Sequence, residues 1–99
     1  MIVLDIILDD EKVAGKISDF LIEKKYAYQT HIDVNTILTL QGKKKTIRLF
    51  FITKALLYSM IESEVKKRFF TPSMIIYATP VSHINEEFGD ILRKNIKAI

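Results

Sequence analysis

His31 and Asp33 are the residues of this chain with the clearest chemical potential. They stand two apart in Gln29-Thr30-His31-Ile32-Asp33-Val34, where polar and apolar residues alternate as in a strand, so imidazole and carboxylate share one face. Side chains so placed are able to converge on one metal ion or to pass a proton between them. The competing reading is a partly exposed strand histidine that holds nothing. Asp5 and Arg48 form a second candidate pair, opposite charges set inside the otherwise apolar runs Met1–Leu8 and Ile47–Ile52. Beyond these the chemistry thins out. The second histidine, His83, is far away in sequence, and there is no P-loop, G-x-G-x-x-G or G-x-S-x-G motif. The absence of cysteine removes disulfides, thiolate metal sites, Fe–S clusters and cysteine nucleophiles together. No residue set supports catalysis, and the chain reads as a non-enzyme.

The 99 residues suit one domain, residues 1–99, with a real core but limited burial per residue. Asp5 interrupts the first apolar stretch and no run of eighteen apolar residues follows, so neither a membrane span nor a signal peptide is expected and the location reads as cytoplasmic. The formal charge of +3 is modest and its lysines and arginines lie among acids, which argues against a nucleic-acid partner. Lys43-Lys44-Lys45 and Lys66-Lys67-Arg68 read as a solvated hairpin tip and a helix C-terminus, where lysines block edge pairing and complement the dipole.

The elements that must position these residues follow from punctuation and periodicity. After the first apolar strand, Asp9-Asp10-Glu11 supplies an N-cap and first-turn acids for a helix whose Val13, Ile17, Phe20 and Leu21 form one apolar stripe. Tyr26–Leu40 and Lys45–Ile52 are extended segments joined at Gln41-Gly42-Lys43-Lys44. A two-residue Gly42-Lys43 loop predicts Leu40 opposite Lys45, Leu38 opposite Ile47, Thr36 opposite Leu49 and Val34 opposite Phe51, which gathers Ile32, Val34, Leu38, Ile47, Leu49 and Phe51 on one face. Thr53 is the expected cap of a second helix with Leu56, Leu57, Met60, Ile61 and Val65 inward, and Pro72 ends it. Met74–Thr79 makes a fourth strand. Ser82 is the expected cap of a terminal helix with Ile84, Phe88, Ile91, Leu92, Asn95 and Ile99 in helical spacing.

The order β-α-β-β-α-β-α predicts an α+β, ferredoxin-like fold: an antiparallel four-stranded sheet in the order 4-1-3-2, with an added C-terminal helix. Right-handed crossovers put the two main helices on one face, yet the strands are apolar on both. The open face needs a cover, and self-assembly is the expected one. With Ile2, Leu4, Ile6 and Leu8 toward the helices, Asp5 comes out beside Arg48 and Phe50 on the open face, as candidate interface residues. Their pairing inside an assembly competes with the reading that both charges reach solvent at the rim. Assembly creates clefts, and Tyr28, Lys54 and Phe70, with His31 and Asp33, are the polar or aromatic residues expected to line them. The RNA-recognition fold shares this element order, but Lys45–Ile52 lacks its glycine and offers only Phe50 for stacking.

The chain resembles the CutA divalent-cation-tolerance proteins and, more distantly, the PII signalling proteins. The resemblance rests on Leu21-Ile22-Glu23-Lys24-Lys25-Tyr26, Gln41-Gly42-Lys43, Ile52-Thr53-Lys54, Thr71-Pro72-Ser73-Met74-Ile75-Ile76 and Ala78-Thr79-Pro80-Val81, the last similar to the family's P-E-I-I-A-L-P-V strand. It departs where the family's cysteine falls in the Ala27–His31 region, where a tryptophan precedes the hairpin glycine, and where H-P-Y-E is shortened to Phe69-Phe70-Thr71-Pro72. What the resemblance implies is a homotrimer with sheets meeting around an axis. It also implies a non-catalytic role in divalent-metal or small-ligand response. A divalent metal ion as cofactor would then use His31 and Asp33, and imidazole with carboxylate favours an ion such as Zn²⁺ over Cu⁺. A structural or protein-interaction module without a small ligand is the alternative, and an RNA-binding module the third.

Overall fold

The central strand β1, Ile2–Leu8, carries the core of the molecule: Leu4, Ile6 and Leu8 are buried on one face, between two neighbouring strands. The computed structural model describes residues 1–98. The C-terminal Ile99, expected on the stripe of the last helix, lies outside them. β1 pairs antiparallel with β3 (Gly42–Thr53) on one side and β4 (Ile75–Pro80) on the other, and β2 (His31–Thr39) pairs antiparallel with β3. The order β2-β3-β1-β4 is the one predicted for an α+β sheet of ferredoxin type.

Helix α1, Glu11–Glu23, starts where its capping chemistry dictates. Asp10 Oδ1 accepts from Lys12 N at 2.9 Å and Val13 N at 3.2 Å, filling two otherwise unpaired donors. Its end is a Schellman turn: Tyr26 N donates to Leu21 O, Lys25 N donates to Ile22 O, and Lys25 sits in the left-handed region at φ 61°. That turn drives Tyr26 and Ala27 into the core, so the extended segment begins at His31 and not at Tyr26. Ile17, Phe20 and Leu21 of α1 pack on Leu49, Phe51 and β1 to form the core.

Three expectations about the elements are corrected. Thr53 does not cap a helix; it closes β3, and its buried hydroxyl donates to Tyr26 O at 2.7 Å. A 3-10 turn over Ala55–Leu57 then leads into α2, Tyr58–Phe69, and the buried line is Leu57, Ile61 and Val65. Leu56 and Met60 stand one residue, about 100°, off that line and are exposed. Ser82 does not cap the last helix either: Val81 N donates to Met1 O at 3.0 Å, which keeps the chain extended past Pro80, and α3 runs from Glu86 to Asn95 behind Asn85.

The third correction concerns the hairpin. Its turn is Leu40-Gln41, with Gly42 alone at positive φ, +117°, and Thr39 Oγ1 accepting from Gln41 N and donating to Gly42 O. Leu38 therefore faces Lys43, Thr36 faces Lys45, Val34 faces Ile47 and Ile32 faces Leu49, a slide of four residues from the predicted register. An even slide keeps every side chain on its predicted face. What changes is burial: Ile47, Leu49 and Phe51 are buried, whereas Ile32, Val34 and Leu38 lie beyond the reach of the helices and are exposed.

Candidate functional site

The pleat sorts the open face into cross-strand rows. One row reads His31, Phe50, Asp5, Tyr77 across the four strands; the next reads Asp33, Arg48, Ile7, Ile75; a third reads Ile52, Val3, Thr79. Asp5 and Arg48 are thus diagonal neighbours on the same face. Arg48 Nε donates to Asp5 Oδ1 at 2.6 Å, with the Asp5 side chain 3% and the Arg48 side chain 38% exposed. The carboxylate is sealed within the protomer while the guanidinium reaches the surface of the sheet. Arg48 Cζ also stands 4.0 Å from the Phe50 ring centre, a cation–π contact. His31 stacks on the same ring, centroids 4.9 Å apart and planes 15° apart.

Four of the sequence candidates, Asp5, Arg48, Phe50 and His31, therefore form one cluster. Asp33 is opposite Arg48 in the β2–β3 ladder and exposed. Among the described residues, no group of three or more His, Cys, Asp or Glu is arranged to hold a metal ion, so His31 and Asp33 supply two ligands at most. Tyr28 and Lys54 lie at the end of the sheet where β3 finishes. Tyr28 meets Phe88 edge to face at 6.4 Å, and Lys54 Nζ donates to Ile96 O at 3.3 Å and Lys97 O at 3.1 Å, tying down the C-terminal segment. Phe70 follows α2 at the opposite end, ahead of β4, and is exposed. Within one protomer the structure does not bring Phe70 to the cluster.

Beside the cluster, where α3 crosses the end of the open face, is a pocket of about 240 Å³. Val3, Phe50 and Ile52 from the sheet and Phe88 and Leu92 from α3 give it apolar walls, and Gln29, His31 and Arg48 are its polar residues. Sequence reading found His31, Arg48 and Phe50 but not the pocket. Gln29 is on the same alternation as His31 and was legible as its neighbour; Phe88 and Leu92 were legible only as a helical stripe, because what that stripe covers is decided by tertiary packing.

No protein-family model matches the sequence, and no curated protein sequence does either. Solved structures do match, over the whole chain. CutA1 from Pyrococcus horikoshii superposes with a TM-score of 0.89 at 16% identity, covering 99% of this chain and 100% of that one. The periplasmic divalent cation tolerance protein CutA from Archaeoglobus fulgidus gives 0.85 at 20%, covering 98% and 100%. The divalent cation tolerance protein Cut A1 from Thermus thermophilus gives 0.81 at 23%, again covering 98% and 100%. At these identities the likeness establishes a shared fold.

Proposed function

We propose that this chain, which has the CutA1 fold, works as a cytoplasmic, non-catalytic homotrimer of single-domain protomers that responds to divalent metal ions or to a small ligand. The observation that carries the reading is the uncovered half of the sheet. All nine residues of β2 are exposed, including Ile32, Val34, Ile37 and Leu38; Ile75 and Tyr77 of β4 are exposed on the open face, and Ile7 and Ile52 are only partly covered. β2 and β4 are also the two sheet edges, whose outer backbone groups have no strand partner among the described residues. Different edges at the two ends suit a head-to-tail contact, and such a contact leaves no free edge only when the ring closes. The full-length likeness to CutA structures, in both directions of coverage, supports the same reading, as does the fact that two of them are divalent cation tolerance proteins.

In this reading His31 and Asp33 are the metal ligands that one protomer contributes, with the others coming from water or from a neighbouring copy. Calorimetric titration with Zn²⁺ and Cu²⁺, on the wild type and His31→Ala, tests it. Micromolar binding that disappears in the variant supports a metal site there. Equal, weak binding by both proteins removes the metal branch and leaves the small-ligand branch.

A further inference from the structure

We propose that β2 of one copy pairs antiparallel with β4 of the next, and that Leu38 on its β2–β3 arm seats on Phe70 of that copy. This deepens the homotrimer reading above and rests on it. Strand direction decides how the two edges meet. β2 and β1 both run antiparallel to β3 and so parallel to each other, whereas β4 runs antiparallel to β1. Edges that stay hydrogen-bonded around a closed ring need strands that run along its axis rather than around it, and rotation about that axis keeps each strand's direction. β2 therefore meets a β4 that runs the opposite way, which continues the antiparallel alternation of the sheet. Neither edge is guarded against pairing: residues 34–39 of β2 and Ile75–Pro80 of β4 include no charged side chain, the usual device that keeps sheet edges apart.

The same polarity fixes which end receives the arm. β1 stops at Leu8, opposite Ile47, so β2 and β3 project beyond it, and β4 begins at this end, with Ile75 opposite Ile7. An antiparallel contact thus carries the arm of one copy to the start of β4 in the next. The two edges match there face by face. Val34 and Leu38 lie on the helix side of the sheet, opposite Ile47 and Lys43, and are 50% and 78% exposed. Phe70, 62% exposed, comes directly off the end of α2, the helix that packs on β4 through Tyr58 and Ile76. On the other side of the sheet Ile37 of β2 is exposed, and so is Ile75 of β4. Because side chains alternate between faces, apolar residues agree on both sides at once only if the two edges share one sheet.

The chain has no cysteine, so introduced ones report alone. Leu38→Cys is combined either with Phe70→Cys or, as the control of opposite polarity, with Ser82→Cys beyond the far end of β4. All three positions are exposed, which leaves the core of the protomer untouched. Each double variant is treated with a short bismaleimide after light scattering has fixed its oligomeric state. The Leu38/Phe70 pair should give covalent dimer and trimer on a denaturing gel in roughly tenfold or greater yield than the Leu38/Ser82 pair, because groups held side by side react at a high effective concentration. Covalent trimer from the Leu38/Ser82 pair instead, or from neither pair in a protein that scatters as a trimer, would overturn the proposal while the trimer stands. A wild type that scatters as a monomer would remove the trimer reading and the proposal with it. Should a variant dissociate, hydrogen exchange of the wild-type trimer decides: alternate amides of an edge strand point away from its one partner, so those of β4 should all be slow, and fast exchange at every second one contradicts the pairing.

Discussion

Asp5 illustrates how much a single residue in the wrong-seeming place reveals. A carboxylate in an apolar strand is expensive unless it is paired, and period-two alternation in β1 and β3 was enough to put it on the same face as Arg48. The structure closes that pair at 2.6 Å. The alternative of two charges at a solvated rim is incompatible with a carboxylate 3% exposed. Removing the carboxylate leaves a guanidinium without its partner on a face otherwise built from Phe50, Ile7 and Val3. Asp5→Ala should therefore cost about 3 kcal/mol, the low end for buried pairs because the Arg48 side chain remains 38% exposed. A double-mutant cycle by urea denaturation should return a coupling above about 1 kcal/mol; one below about 0.3 kcal/mol contradicts the pairing. His31 was legible as a same-face partner of Asp33, but not as a ring stacked on Phe50, because that contact depends on the hairpin register.

At the scale of elements, strand order and the buried stripe of α1 were readable, whereas the full inward face of α2 and the ends of the elements were not. α1 was legible to its cap because Asp10 and the apolar stripe agree. The hairpin register was not, because two turns that differ by an even number of residues give the same hydrophobic faces, and the Thr39 hydroxyl and Gly42 at φ +117° choose between them. The ends of α2 and α3 depend on contacts distant in sequence, Thr53 with Tyr26 and Val81 with Met1. The α1 terminus offers a direct test of the local argument. Lys25 holds a left-handed conformation that costs a side-chain-bearing residue on the order of 1 kcal/mol, and only its backbone is used, in bonds to Ile22 and Lys97. Lys25→Gly should raise stability by about 0.5–1 kcal/mol in urea denaturation, since glycine takes that conformation without the steric cost. A loss of stability would show that the lysine side chain matters there.

The whole molecule is longer than a chain of this size needs to be. Its radius of gyration is 14.0 Å and its extents are 43 × 27 × 19 Å, against about 13 Å expected for a compact 100-residue domain. The excess is the β2–β3 arm, which carries Leu38 and Leu40 at 78% and 101% exposure beyond the helices. An isolated protomer would keep this arm, two open edges and the apolar part of the open face in water. Obligate interfaces of this character bury on the order of 2,000 Å² or more in total, and their protomers often do not fold alone. The most direct test is light scattering coupled to size exclusion at micromolar concentration. The account predicts a single species of three times the 11.5 kDa protomer, about 34.5 kDa, that persists on dilution until it unfolds. A folded, stable monomer at the same concentration would contradict it.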